Sequence, residues 1–222
     1  MAEAFGRQTR DGIWMIVHSD WDTPEGLRRG ASHLATRWRE VTRDREGNLN
    51  TIFLKATVAD PGDPAKRVLA GMAIWEQCSI VEGWGNPVSV DTDKDFGMAE
   101  HYPDNELERR FVSQAMTSFY KPRQDLANVI ASSSRPALFA LDLCAVSPAF
   151  QRRGIAGKLT KWGLKEAERR GGLEAVLEAS AMGRPVYERL GFKVEGTEIP
   201  YNVDKEFAGR DMPASVFMRT GL

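Results

Sequence analysis

Apolar residues recur at alternating steps of four and three near the start of the chain: Leu27, Ala31, Leu34, Trp38 and Val41. That spacing predicts one apolar face on a helix. Thr23 suits its N-cap, Pro24 its first position, and Glu25 its positive end. A turn follows at Arg45-Glu46-Gly47-Asn48, and the period then changes. Residues 51–58 (TIFLKATV) read as a strand, Asp60-Pro61-Gly62-Asp63-Pro64 as a turn, and 68–75 as the hairpin partner. Residues 82–103 are rich in Gly, Pro and Asp and carry no period. Leu107, Phe111, Ala115 and Phe119 predict a second amphipathic helix, and 122–130 a third, shorter one.

The densest apolar run is 137–146, the pattern of a central strand covered on both faces. Ser147-Pro148 ends it. Gln151-Arg152-Arg153-Gly154-Ile155-Ala156-Gly157 then opens a helix that reaches about residue 170, with Ile155, Leu159, Trp162 and Glu166 on one face. Gly171-Gly172 stops it. Residues 173–179 read as a strand, 184–190 as a short helix ending at Gly191, and 192–194 and 214–219 as the last strands. The order is mixed α and β. No boundary divides it into two domains.

The chain has 222 residues, 42% of them hydrophobic and 27% charged, enough for a sizeable core. Thirty basic against 31 acidic residues leave a formal charge of −1. That balance provides no global attraction to nucleic acid or to an anionic membrane, so neither is expected as a partner. Two cysteines, Cys78 and Cys144, exclude a disulfide scaffold and a four-cysteine zinc module. His18, His33 and His101 lie far apart without ligand spacing, and no metal is expected. The start, MAEAFGRQTR, lacks the apolar core of a signal peptide. The early run Ile13-Trp14-Met15-Ile16-Val17 is about a quarter of a membrane span. These features predict a soluble, cytoplasmic protein.

A strand, then QRRGIAG, then a helix can bind phosphate. Gly154 and Gly157 let the backbone approach a ligand, and the first helical N–H groups are unpaired. A Walker loop is excluded, because Arg152 stands where its first glycine belongs and Leu159 follows Gly157-Lys158. GxGxxG fails as well. What remains, Q-x-x-G-x-A, resembles the acyl-CoA pyrophosphate loop of the GNAT superfamily of N-acetyltransferases. The strand 141–146 with Ser147-Pro148 resembles that family's fourth strand, and Glu178-Ala179-Ser180 the end of its fifth. Pro185-Val186-Tyr187-Glu188-Arg189-Leu190-Gly191-Phe192 is similar to its "lYerlGF" segment. The wording is most similar to fungal members. The resemblance covers about residues 137–192. Two departures stand out: Ala2-Glu3-Ala4-Phe5 sits at the very start, where the family's first strand would precede it, and residues 76–136 form a long helical insertion.

The resemblance implies a single α+β GNAT domain over 1–222. Its mixed, mainly antiparallel sheet would be flanked by helices and splayed between the family's fourth and fifth strands. It implies acetyl-CoA as donor, direct attack by an amine in a ternary complex, and no metal. Gln151, Arg152, Arg153, Gly154, Ile155, Ala156, Gly157 and Lys158 would hold the donor's phosphates. Backbone N–H groups around Cys144, Ala145 and Val146 would serve the thioester oxygen. Tyr187 would give the leaving thiolate its proton, a step uphill by about 2 kcal/mol for unperturbed groups. Asp142 or Glu76 would be the base, unless each is only a strand-end carboxylate. Cys144 without a His partner is an inert strand residue. Trp75, Trp84, Phe111, Phe119 and Tyr120 are candidates both for an acceptor pocket and for ordinary core. The insertion is expected to contribute to the acceptor site. Ser180, where protein-acetylating members often carry Asn, favours a small-molecule amine as acceptor. The alternatives are a protein lysine or N-terminus as acceptor, or a non-catalytic acyl-CoA-binding protein. Monomer and homodimer both stay open.

Overall fold

Six strands form one sheet in the computed structural model, which describes residues 1–88 and 91–221. They are β1 (Thr51–Ala59), β2 (Arg67–Cys78), β3 (Leu138–Val146), β4 (Glu174–Ser180), β5 (Lys193–Glu198) and β6 (Ser215–Arg219). Their order across the sheet is β1-β2-β3-β4-β6-β5, and only β3 and β4 run parallel. The six strands match those read from the sequence, with β2 three and β5 four residues longer at their ends. The helices are α1 (Gly12–Ile16), α2 (Pro24–Arg39), α3 (Thr92–Phe96), α4 (Met98–His101), α5 (Glu106–Ile130), α6 (Ile155–Arg169) and α7 (Arg184–Glu188). A π-type helix, Ala2–Thr9, precedes them. Among the described residues no strand precedes β1, so helices occupy the start of the chain, where the family resemblance left its first strand in doubt.

The apolar run of β3 is explained by cover on both faces. Phe139 and Leu141 join Trp75, Leu159 and Phe192 in the core beneath α6. Leu138 and Ala140 face the other way, onto Leu126 and Ala127 of α5. β3 and β4 pair only through Leu138, Phe139 and Ala140 against Glu174, Ala175 and Val176. Beyond these residues β3 stays with β2 as far as Val146, and β4 stays with β6 as far as Ser180. The two strands therefore part and leave a V, as the family resemblance implied.

Several expectations are corrected. Residues 106–130 form one helix, not two, although Pro122 lies inside it. A proline removes one helical N–H, but Phe111, Val112, Ala115 and Met116 before it and Leu126 and Ala127 after it are all buried, and packing holds the two halves in line. The apolar stripe of α2 is not a core face: Leu27 is 48% exposed and Trp38 63%. That helix turns Gly26, His33 and Arg37 inward instead, and Thr23 caps it as expected, its Oγ1 accepting from the Gly26 N–H at 3.1 Å. On α6, Trp162 is 39% exposed and Glu166 pairs with Arg169 and Arg170. The inward position is Gly163, where any Cβ would collide with the Trp75 indole. Trp75 and Phe111 are thus core residues, while Trp84 lies under the guanidinium of Arg45 at the core's margin.

Candidate active site

The V between β3 and β4 opens into a cleft of about 1110 Å³. One end is built mainly from backbone. Gly154 caps α6 without any side-chain hydrogen bond and sits in the left-handed region at φ 75°. The first helical N–H groups have no carbonyl one turn back to bond to. A Cβ at Gly154 or Gly157 would meet nothing within 4 Å, so both glycines face open space. Arg152, Lys158 and Lys161 line this end. Arg153 does not: its Nη2 donates to the Ala149 carbonyl at 3.3 Å and its guanidinium lies over the Phe150 ring. Gln151 is committed to structure. Its Nε2 donates to the Val146 carbonyl at 3.1 Å, and its amide pairs reciprocally with that of Gln8, at 2.7 and 2.9 Å. The π-type helix is thereby tied to the glycine loop.

The open edge of β3 follows from alternation. The Ser147 N–H bonds to the Ala70 carbonyl at 2.9 Å, and the Ala145 carbonyl approaches Gly71, so both residues face β2. Val146 and Cys144 therefore point their N–H groups the opposite way, along the edge that β4 has left. Ala145, expected beside them, donates on the β2 side.

The other end is a charged network. Asp142 Oδ2 lies 2.8 Å from Arg37 Nη1. Its Oδ1 accepts from the Tyr120 hydroxyl at 3.2 Å and is 3.7 Å from Arg123 Nη1. Arg123 forks onto Glu178 of β4, through Nε at 3.2 Å and through Nη2. The Arg123 and Glu178 side chains are only 5% and 3% exposed. The insertion supplies Phe119 and Tyr120 to the cleft wall from α5. Burial pushes the Asp142 carboxyl up, but Arg37 and then Arg123 outweigh it and hold the group below its ordinary value. Glu178 goes the other way, because burial there exceeds the pull of Arg123. Glu76 is also raised by burial. It lies outside the cleft lining, held between Arg37 at 3.4 Å and the Asn86 amide. Neither carboxylate proposed as base offers a free oxygen: Asp142 is ionised and fully engaged, and Glu76 is off the wall.

Tyr187 and Cys144 both line the V, one from α7 and the other from β3. The Tyr187 ring packs on Gly183, where a Cβ would come within 2.9 Å, and edge-on to Phe192. Burial, then Cys144, pushes the hydroxyl well above its ordinary pKa of 10, so it stays protonated. Burial also pushes the Cys144 thiol up to about 12, which leaves no thiolate to act as a nucleophile.

Sequence reasoning passed over the histidines. His18 and His33 line the cleft, and the His101 ring lies 6.1 Å from that of His18. The missed signal was the run Ile13-Trp14-Met15-Ile16-Val17. Its first four residues belong to a capped helix, with Asp11 Oδ1 accepting from the Trp14 N–H at 2.9 Å. One helical turn then carries His18 onto Trp14, the rings 4.5 Å apart and 17° from parallel. Among the described residues no cluster of three or more His, Cys, Asp or Glu could hold a metal ion, and no helix is long and apolar enough to cross a membrane.

A family model for the acetyltransferase (GNAT) domain matches residues 87–202, just over half of the chain. A search of curated proteins found no match. Among solved structures, the chain is similar to Arabidopsis thaliana NAA60 in complex with acetyl-CoA, at 14% identity, 86% of this chain, 92% of that one and a TM-score of 0.45. It is also similar to arylalkylamine N-acetyltransferase 2 from Aedes aegypti (15% identity, 85% and 76% covered, TM-score 0.42). A third is the Drosophila melanogaster polyamine N-acetyltransferase (13% identity, 68% and 67% covered, TM-score 0.43).

Proposed function

Since the chain belongs to the GNAT acetyltransferase family, we propose that it transfers the acetyl group of acetyl-CoA to the amine of a small molecule, both substrates occupying the V together. One observation carries this reading. A single cleft joins an uncapped, glycine-lined helix start to the bared N–H edge of β3 and then to an acidic, aromatic end. The donor end fits a CoA pyrophosphate. It offers main-chain N–H groups, space at Gly154 and Gly157, and positive charge from Arg152, Lys158 and Lys161. Acetyl-CoA, when bound, supplies an activated thioester carbonyl. The N–H groups of Val146 and Cys144 are the fixed donors available to its oxygen. The Tyr187 hydroxyl, kept protonated by its raised pKa and lining the V with Cys144, is the donor this reading assigns to the departing thiolate. Its raised pKa makes full transfer harder than for a free tyrosine, so its contribution is a hydrogen bond that strengthens as charge develops on sulfur.

The other end suits an amine. Asp11, Asp95, Asp142 and Glu178 line it, against Arg37 in the wall and Arg123 behind, and the balance is negative. Phe5, Trp14, Phe119 and Tyr120 supply apolar surface. Lining residues from α1, α2 and α5 crowd this end and favour a compact acceptor over an extended peptide. A lysine-like amine must lose its proton before it attacks, at a cost of about 4–5 kcal/mol at pH 7.

Calorimetric titration with acetyl-CoA, on the wild type and on Gly154→Asp, tests the donor site. At an effective dielectric of about 20, two like charges about 4 Å apart repel by about 4 kcal/mol. The variant is therefore expected to bind about a thousandfold more weakly. Thiol release with a panel of primary amines then tests transfer. No acetyl-CoA binding by the wild type, or binding that Gly154→Asp leaves unchanged, overturns the reading.

A further inference from the structure

We propose that His18 is the hydrogen-bond acceptor that receives and orients the amine of the acceptor substrate, through Nε2; this rests on the function proposed above. The tautomer is fixed by the neighbouring carbonyl. His18 Nδ1 lies 2.8 Å from the Trp14 carbonyl oxygen. A carbonyl only accepts, so the proton is on Nδ1 and the lone pair on Nε2. Among the described residues, the buried side-chain N and O atoms without a partner are Trp14 Nε1, Asn50 Oδ1 and Tyr201 OH. His18 Nε2 makes no hydrogen bond either, yet it is not among them. It is therefore accessible to solvent, and His18 is one of the residues lining the cleft.

Most neighbouring groups are held by other partners, though Asp11 and Asp95 each engage only one oxygen and Met1, which carries the terminal amino group, also lines the cleft. Asp142 and Glu178 are held by arginines. Asp11 accepts from the Trp14 N–H, and Asp95 Oδ2 from the Asp91 N–H at 2.9 Å. His33 donates from Nε2 to the Asp95 carbonyl at 2.7 Å, and its Nδ1 faces Gly97. Of the two cleft histidines, His18 is thus the one assigned to the amine. Its ring is held in place, stacked on Trp14 and edge-on to His101. Burial, above all, lowers its pKa to about 4, so the lone pair stays available throughout the neutral range.

Two substitutions separate orientation from packing. His18→Asn keeps an N–H for the Trp14 carbonyl and removes the Nε2 acceptor, while His18→Gln can restore an acceptor near that position. With phenethylamine, butylamine and 1,4-diaminobutane as probes, we expect His18→Asn to lower kcat/KM for the amines about 10-fold. Acetyl-CoA affinity and Tm should hold, and His18→Gln should recover most of the loss. In parallel, the ¹⁵N resonance of Nε2 should shift when an amine is added to the CoA-bound wild type. Unchanged kcat/KM in His18→Asn, an equal loss of acetyl-CoA affinity, or a resonance that none of the amines moves overturns the proposal. A shift without thiol release from the wild type would retain His18 as an amine site and overturn the transfer reading instead.

Discussion

The two ends of the cleft are made of different material. The donor end consists of backbone: a helix start without a cap, two glycines facing open space, and a strand edge bared where β3 leaves β4. The acceptor end consists of side chains, drawn from α1, α2, α5, β3 and β4 and locked by Arg37 and Arg123. Backbone donors are placed by the fold itself and need no partners to hold them. Buried charges hold one another, and removing one leaves another without compensation. The donor end should therefore tolerate most side-chain changes that leave its glycines intact, while the acceptor end should fail as a unit.

Arg123→Met tests that contrast with the largest expected effect. Among the described residues it strips Glu178 of its only close cation and leaves Arg37 as the one paired with Asp142. Breaking a buried pair from one side costs about 3–5 kcal/mol. Denaturant unfolding should record that loss, while the folded fraction binds acetyl-CoA as before. Adding Glu178→Leu should return most of the stability, since an apolar pair of similar volume often substitutes for a buried ion pair, but not amine turnover. If the single variant lost acetyl-CoA affinity as well, the two ends would not be separable.

The same division explains what could be read from the chain. The glycine-lined helix start was legible because short local patterns specify it: a strand, a Pro, then glycines at fixed steps. Gly154, Gly157 and Tyr187 lie where those patterns put them. The acceptor end was not legible, because its residues converge from positions as far apart as His18, Arg37, Tyr120 and Glu178, and spacing carries no information about such meetings. Asp142 was singled out, but the cations that engage it could not be. Trp75 could not be distinguished from a pocket residue until Gly163 was found against its indole. The stripe on α2 misled for a related reason: a periodic apolar face is a prediction of burial only if another element covers it, and here the covered face is the one bearing Arg37.

Tyr187 stands between the two ends and sharpens the comparison at intermediate size. Tyr187→Phe keeps the ring against Phe192 and Gly183 and removes only the hydroxyl. If that hydroxyl serves the departing sulfur, kcat should fall about 10–100-fold. Acetyl-CoA affinity and the amine's KM should stay within about twofold. A fall in kcat of less than threefold would reduce Tyr187 to a packing residue.

The smallest expected effect concerns acid. His18 and His101 both have pKa values lowered to about 4, chiefly by burial, with Arg29 adding to the effect at His101. An unfolded chain takes up these protons near 6.5, whereas the native chain refuses them until about pH 4. Between those values the unfolded state binds more protons. Stability is therefore complete above pH 6.5 and is lost as pH falls toward 4. For His18, the step from pH 7 to pH 6 costs about 0.7 kcal/mol. Asp142, held below its ordinary 3.8, adds to the loss only at still lower pH. Asp11, Asp95, Glu76 and Glu178 have the opposite sign, being raised chiefly by burial, and oppose the loss near their own ranges. In ligand-free protein the Tm should fall between pH 7 and pH 5, and His18→Asn should flatten part of that slope. An identical slope in wild type and His18→Asn would separate the acid response from the corner where His18 stacks on Trp14, and with it the claim that burial keeps this imidazole neutral.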